Sequence, residues 1–302
     1  MPPALICVLA FGQEMPRIQV EVNLVNVSAS VRDTQGKLVK DLAKEDFHLL
    51  EDGVEQRIQL FARSLDLPLK LGLVVDFSGS QGEYVRKHRR DIETFLENVV
   101  GLKDRVFLIG FGNHLRLVSD FSNSVPEIMV SLRNYERGER RVPSIGPQVL
   151  RTGGTAFYDA IYHASEKLAP ESGRKALVVF SDGEDNASAY HMIDAIEAAQ
   201  SADALLYNVR YTHTERHGPT SRNIYGTRVM KRISADTGGA DFDATDSNPR
   251  EAFRQIEQEL RTLYELAFAS TNPVRDGSFR KLVVKVRRPG LTARTKSGYY
   301  AR

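Results

Sequence analysis

The sequence predicts an α/β protein with a doubly wound, mostly parallel sheet that has helices on both faces, and a small β module built from the N- and C-terminal segments. Between Lys70 and about Leu263, apolar runs alternate with helical stretches, as in parallel strands joined by crossover helices. Outside this region, period-two alternation and turn residues indicate strands that need no helices.

The N-terminal β segment, residues 17–67, contains several strand and turn signals. Val22 and Leu24 share one strand face, after which the apolar phase moves to Val25 and Val27, and this slip predicts a β-bulge. The Asp-Gly pair in LEDGVE predicts a hairpin, followed by alternation at Ile58 and Leu60. LAKEDF predicts one short helical turn.

Residues 68–263 are expected to form the doubly wound domain. Five apolar runs predict its strands: LKLGLVVD, RVFLIGF, LRLVSDF, KALVVFSD and ALLYNVR. Helices are expected near residues 83–99, 124–133, 156–169, 188–201, 223–236 and 248–262. Because LRLVSDF follows its neighbour after only a GNH turn, it is predicted to be an antiparallel strand at the edge of the sheet.

Strand patterns return in residues 264–302, where turn signals separate the runs YELAFAS, FRKLVVKVRR and LTARTKSGYYA. The simplest arrangement inserts the doubly wound domain between two parts of one β module. Residues 264–302 are therefore expected to pack with residues 17–67.

The first residues resemble part of an export signal. Cys7 lies in the short apolar stretch ALICVLAFG, and Ala10 and Gly12 have the spacing that a signal peptidase reads, with cleavage before Gln13. Residues 1–12 are thus interpreted as a signal-peptide remnant, which predicts a periplasmic, cell-surface or secreted protein. Since MPP lacks the usual Lys or Arg, a first strand is the alternative. The stretch is too short to cross a bilayer, and no transmembrane span is expected.

The net charge of the chain does not favour binding to nucleic acid or to a membrane. The chain of 302 residues has 41 basic and 39 acidic side chains, a net charge of +2. Any electrostatic preference for a partner must therefore be local.

Three short stretches of the predicted doubly wound domain carry side chains with oxygen atoms. Asp76, Ser78 and Ser80 lie in LVVDFSGSQG, Thr155 lies in TGGTAFYDA, and Asp182 lies in VVFSDGEDN. Ligands of open α/β sheets bind outside the carboxyl ends of the strands. A donor set of carboxylates and hydroxyls fits a hard cation such as Mg²⁺, with Mn²⁺ or Ca²⁺ as alternatives.

The D-x-S-x-S motif with a distant Thr and a distant Asp resembles the metal-ion-dependent adhesion site of von Willebrand factor A (VWA) domains. With the flanking β segments, the whole chain resembles VWFA-related proteins of the acidobacterial type. The resemblance implies that Ser78, Ser80 and Thr155 bind the metal through hydroxyls. Asp76 and Asp182 would hold coordinated waters or, for one of them, bind directly. It also implies a protein partner that offers an Asp or Glu carboxylate to the cation.

Two functional classes are compatible with these residues. One is a non-enzymatic adhesion or scaffold module, and the other is a Mg²⁺-dependent hydrolase such as a phosphoesterase. No G-x-S-x-G elbow is present, and the three stretches contain no His, although a carboxylate can act as a base. The binding module is therefore preferred.

An arginine-rich run precedes the Thr155 loop. Arg137, Arg140, Arg141 and Arg151 lie within residues 136–151. They are interpreted either as a basic rim of the metal face or as part of a solvated loop. These two interpretations stay open at the level of the sequence.

Overall fold

The computed structural model describes residues 24–63, 67–79, 81–87, 89–138, 142–147, 154–211, 220–244 and 249–302. The predicted signal segment, residues 1–12, lies outside these ranges. No described helix combines the length and the apolar character needed to cross a membrane.

The described strands lie before, within and after the doubly wound region and are numbered in chain order. The four strands that precede it are β1 (Val25–Arg32), β2 (Phe47–Glu51), β3 (Val54–Gln56) and β4 (Ile58–Arg63). The next seven are β5 (Leu69–Asp76), β6 (Arg105–Phe111), β7 (Leu115–Ser122), β8 (Ser144–Ile145), β9 (Arg174–Ser181), β10 (Ala204–Arg210) and β11 (Asp241–Asp243). The last four are β12 (Tyr264–Phe268), β13 (Phe279–Val286), β14 (Thr292–Arg294) and β15 (Gly298–Tyr300).

The predicted mostly parallel sheet with helices on both faces is confirmed. Its strand order is β11-β10-β9-β5-β6-β7-β8, and the first five strands are parallel. The helices are α1 (Gln81–Lys87), α2 (Arg89–Val99), α3 (Val125–Glu136), α4 (Phe157–Leu168), α5 (Met192–Ser201), α6 (Ser221–Thr237) and α7 (Pro249–Leu260). The pattern succeeds because strands covered on both sides must be apolar along their whole length.

Alternate residues of the central strands pack against different helices. Leu73 and Val75 of β5 lie in one core with residues of α2, α3 and α7. Val74 lies in a second core, on the other face, with residues of α4, α5 and α6. β5 therefore ends in solvent-shielded surroundings, and its last side chain, that of Asp76, is fully buried.

The edges of the sheet differ from the sequence prediction. LRLVSDF forms β7, which is antiparallel to β6 as expected, but β8 pairs along its other side and takes the edge position. β11 forms the opposite edge and was not predicted. Strands of two or three residues are too short for their apolar period to be read from a sequence.

Strands from the two ends of the chain pair with one another. One sheet has the order β14-β1-β12-β4, and the other has the order β15-β13-β2-β3. Their shared core contains Val27, Leu49, Phe268 and Val284. The Asp52-Gly53 turn joins β2 to β3 with positive φ at both residues, as the hairpin prediction requires.

A β-bulge lies in β4. Phe268 is opposite Ile58, and Ala267 is opposite Leu60, so Gln59 is an extra residue in β4. Ile58 is therefore buried, while Leu60 is 58% exposed on the other face. The predicted common face of these two residues is wrong. The other predicted bulge, where the apolar phase slips between Leu24 and Val25, lies before the first paired residue of β1 and stays a prediction; from Val25 onward the pairing with β12 is regular.

Glu259, near the end of α7, joins the two parts of the fold. Its side chain has no solvent exposure. One carboxylate oxygen pairs with Arg32 of β1 at 2.8 Å, while the other accepts the Tyr207 hydroxyl of β10 at 3.0 Å and pairs with Arg294 of β14. A single carboxylate thus connects a helix, the central sheet and the β module.

Replacing Glu259 by Gln is expected to lower the free energy of unfolding by roughly 2–4 kcal/mol, because Arg32 and Arg294 lose their shared counter-charge. Urea titration followed by circular dichroism measures this. Glu257→Gln is the matched control on the same helix. Its partly exposed pair with Arg261, at 3.4 Å, should contribute less than about 1 kcal/mol. Equal effects of both variants would contradict the role of Glu259.

Candidate functional site

The candidate site begins where two neighbouring parallel strands end. Asp76 is the last residue of β5, and Ser181 is the last residue of β9. The Ser181 hydroxyl donates to Asp76 Oδ2 at 2.7 Å, and the backbone N–H of Ser78 donates to Asp76 Oδ1 at 2.8 Å. Asp182 follows directly in the chain, so the two predicted acids lie at adjacent strand ends, as the parallel pairing requires.

Burial of Asp76 has a large electrostatic effect. Desolvation raises the pKa of its carboxyl to about 7, and the nearby charge of Asp182 acts in the same direction. Hydrogen bonds from Ser78 and Ser181 lower the pKa but do not offset the burial. Because these donors are neutral, they leave the negative charge of the ionised Asp76 uncompensated.

Asp182 is held by the first residue of α1. Gln81 is buried and donates from Nε2 to Asp182 Oδ2 at 2.9 Å and to the Tyr211 carbonyl at 3.1 Å. The other oxygen of Asp182 accepts the backbone N–H of Glu184 at 3.0 Å. Burial raises the pKa of Asp182 as well. The site therefore contains two partly desolvated carboxyls whose charges repel.

The Thr155 loop is attached to the loop after β9. The backbone N–H of Thr155 donates to Asn186 Oδ1 at 2.7 Å, and the Thr155 carbonyl accepts from the N–H of Asn186 and of Ala187, each at 3.1 Å. Gly154 has φ +113°, and a Cβ there would lie 2.5 Å from Asn186 Oδ1. Glycine is thus required for the close approach of the two loops.

Helix α4 is capped by a residue from another element. Its N-cap position, Ala156, has no side-chain acceptor, and Asp185 Oδ1 instead accepts the N–H groups of Phe157 and Tyr158 at 2.8 and 3.3 Å. Asp159 braces the same region by accepting the N–H groups of Ala189 and Tyr190. These bonds fix Thr155, one residue before the cap, relative to Asp182.

The structure brings most of the predicted set to one edge. Asp76 is bonded to Ser78 and feels the charge of Asp182, and Thr155 is bonded to Asn186, four residues after Asp182 in the same loop. Ser80 lies outside the described residues, as do Arg140, Arg141 and Arg151. Sequence reasoning missed the supporting residues Ser181, Gln81, Asp185 and Asn186. The run SDGEDN carried a signal for three of them, because polar residues crowd directly after a buried strand.

Carboxylates alone do not define a metal centre here. Within the described ranges, no three His, Cys, Asp or Glu side chains are grouped so that they could hold a metal ion. The candidate set has two carboxylates, and its other donors are hydroxyls. It therefore differs in composition from the usual carboxylate or histidine cluster.

Comparison with known proteins found no matching family model and no matching curated protein. Several solved structures match about two thirds of this chain at low identity. One is the conserved hypothetical protein BatB from Bacteroides thetaiotaomicron, with 18% identity and a TM-score of 0.46, covering 64% of this chain and 97% of that chain. Another is the PilB minor pilin from Streptococcus sanguinis, with 13% identity, a TM-score of 0.45, and coverage of 65% and 62%. The vWF domain of the type V pili tip protein Mfa5 from Porphyromonas gingivalis has 11% identity, a TM-score of 0.42, and coverage of 64% and 94%.

Asp76→Asn is expected to stabilise the protein in the presence of a chelator, increasingly so from pH 5 to pH 8. A carboxyl whose pKa is about 7 in the folded protein and 3.8 when it is freely solvated binds more protons in the folded state between those pH values. The free energy of unfolding then falls by up to a few kcal/mol as the pH rises through this window. The Asn side chain of the variant does not titrate, so this loss does not occur in it. Urea titrations at several pH values measure the effect.

Asp120→Asn is the control for this experiment. Asp120 is exposed, and its hydrogen bond with Lys167 lowers the pKa of its carboxyl. It should therefore give no stabilisation at pH 8. A pH-independent effect of Asp76→Asn would show that burial does not perturb the titration of Asp76.

Proposed function

We propose that the chain is a non-enzymatic protein-binding module that docks an acidic side chain of a partner through a bound divalent cation. The observation that carries the proposal is the pairing of two desolvated carboxyls, Asp76 and Asp182, at adjacent strand ends with neutral hydrogen-bond partners. A cation between these groups would supply the missing positive charge.

The residues proposed to hold the cation are Asp76, Ser78, Ser80, Thr155 and Asp182. The three hydroxyls would bind it directly, and the two carboxylates would hold coordinated waters or, for one of them, bind directly. Their oxygens suit Mg²⁺, with Mn²⁺ or Ca²⁺ as alternatives. Bound there, the metal would act as a Lewis acid that accepts one further oxygen from outside the chain. The protein's part is to fix the three loops, which it does through Ser181, Gln81 and Asn186.

A preference for an acidic partner follows from charge. Hydroxyl ligands are neutral and leave the cation under-neutralised, so an Asp or Glu carboxylate from a partner adds both charge and coordination. Arginines also surround the end of α3. Arg89 pairs with Glu136, and the charges of Arg86 and Arg133 also act on that carboxyl. Arg137 follows and is exposed.

This basic group of arginines lies close to the candidate site. Tyr135, the neighbour of Glu136, packs edge-on against Phe77 with ring centroids 4.9 Å apart. Phe77 stands between Asp76 and Ser78 in the chain. A positive surface beside the site supports capture of an acidic partner by increasing its rate of association. Export, as inferred from residues 1–12, would place this module where envelope or extracellular partners can reach it.

The alternative function is a Mg²⁺-dependent hydrolase. Phosphoryl or ester hydrolysis needs a nucleophile or general base beside the metal, which the candidate set supplies only if one of its carboxylates serves. Release of phosphate from a generic phosphoester by the wild type with Mg²⁺, but not by Asp76→Ala, would favour the hydrolase over the proposed module.

Calorimetric titration of Mg²⁺ or Mn²⁺ is expected to show one site per chain. Asp76→Ala should abolish binding, because it removes one of two carboxylates from the set, and the strand-end position should leave the fold intact. Asp120→Ala, at the exposed Asp120 of β7, is the matched control and should bind normally. Normal metal affinity of Asp76→Ala would remove Asp76 from the proposed site.

Partner capture from an envelope extract of the native organism is expected to need the cation. Immobilised wild type should retain a partner with Mg²⁺ and lose it with a chelator, and Thr155→Ala should lose it as well. Thr292→Ala, on the exposed side of β14, should retain the partner.

For the partner so identified, a double-mutant cycle between Thr155 and the partner's acidic residue should be strongly non-additive. Additive losses would place docking elsewhere.

A further inference from the structure

A cleft of about 500 Å³ lies at the end of the central sheet opposite the candidate metal site. Gly173 and Lys175, at the start of β9, and Asp203, just before β10, line one side. β1, β4 and β12 of the β module line the other side. The cleft therefore separates the β module from the amino ends of the parallel strands.

Strand register decides which side chains face this cleft. Ser28, Glu265 and Ala62 are directly opposite one another across β1, β12 and β4, and so share one face of the sheet. The bulge in β4 turns Leu60 to the same face, opposite Ala267. Glu265 is thus a carboxyl in the middle strand of a largely uncharged surface.

The carboxyl of Glu265 is only half satisfied. Oε2 accepts the Ser28 hydroxyl at 2.6 Å, whereas Oε1 is shielded from solvent and has no hydrogen-bond partner in the part of the chain that the structure describes. Burial raises the pKa of this carboxyl, and the charges of Arg174 and Lys296 lower it without hydrogen-bonding to it. A shielded carboxylate oxygen without a donor is costly, and such groups are uncommon in folded proteins.

The other charged groups of the cleft already have partners. Asp203 accepts from Lys296 at 2.6 Å and from Asn26 at 3.1 Å, and Glu171 pairs with Lys70 at 2.9 Å. The ammonium of Lys175 donates to the Ala169 carbonyl at 3.1 Å. Among the described residues, Glu265 is therefore the lining carboxyl that no cation meets at hydrogen-bond distance.

We propose that this cleft binds a small aliphatic amine, whose ammonium group takes the second oxygen of Glu265 and whose hydrocarbon chain lies against Leu60 and Leu67. The terminal torsion of a Glu side chain is soft, so rotation lets Ser28 and the ammonium each take one oxygen. Leu60, exposed for more than half of its surface, and Leu67 supply apolar contact beside the carboxylate.

Pentylammonium is the probe for this site, and calorimetry or ligand-observed NMR with the full chain is the measurement. One pentylammonium should bind per chain, while 1-pentanol and pentanoate, of equal length, should not. Glu265→Gln should weaken binding at least about tenfold, because it removes a charge-assisted hydrogen bond without changing side-chain size. Equal binding of the three probes, or unchanged affinity of Glu265→Gln, would overturn the proposal.

Two further variants test whether the amine recognises the carboxylate of Glu265 itself. Glu171→Gln removes a charge from the same cleft but one that is paired with Lys70, so it should leave binding unchanged. An equal loss in this variant would mean that the amine responds only to general negative charge.

Ala62→Lys places an ammonium opposite Glu265 on the next strand, and should raise the melting temperature while blocking the binding of pentylammonium. If Ala62→Lys neither raises the melting temperature nor blocks pentylammonium, the amine does not bind at Glu265.

A last comparison distinguishes a free amine from a lysine side chain of a partner protein. Nα-acetyl-lysine amide carries the same ammonium on a peptide backbone. Binding of pentylammonium with weaker binding of this compound supports a small-molecule site. The reverse order would overturn that assignment in favour of a peptide ligand.

Discussion

The fold depends on one carboxylate that lies between its two parts. Glu259 has no solvent exposure, and it meets Arg32 and Arg294 of the β module and the hydroxyl of Tyr207 in the central sheet. Because its charge is compensated by two arginines, it can be buried where an isolated carboxylate could not. One residue later α7 ends, and at Tyr264 the chain enters β12, the strand on which β1 and β4 both pair. The position of α7 is thus tied to the position of the β module.

The two ends of the central sheet have opposite chemical characters. At the carboxyl ends, Asp76 and Asp182 lie among neutral donors, and three loops are tied together by side chains such as Asn186. At the amino ends, the β module covers the strands and leaves a cleft beside Glu265. The eight residues of β9 separate these ends by roughly 25 Å, at about 3.3 Å per residue. Each end keeps a carboxyl whose pKa is raised by burial, and perturbed groups of this kind cluster at functional sites.

Most of the fold and part of the candidate site were predictable from the sequence. The apolar run before Asp76 indicates a strand buried on both faces, and Asp52-Gly53 indicates a hairpin, because these signals depend only on period and turn chemistry. Acids and hydroxyls directly after apolar runs indicate a polar strand end for the same reason. Short edge strands such as β8 and β11 carry no readable period, and the bulge at Gln59 shifts the alternation that would otherwise place Leu60 in the core.

By itself, the sequence determined which segments become strands and helices and which strand ends carry oxygen donors, since neighbouring residues set those features. Only the tertiary structure decided which distant side chains meet. Asp185 caps a helix that begins 28 residues before it, and Ser28 donates to Glu265 across 237 residues. No local pattern records such contacts, because they depend on strand register and on the packing of helices over the sheet. The buried position of Glu259 and the half-satisfied carboxyl of Glu265 arise in the same way, from surfaces that exist only once the chain has folded.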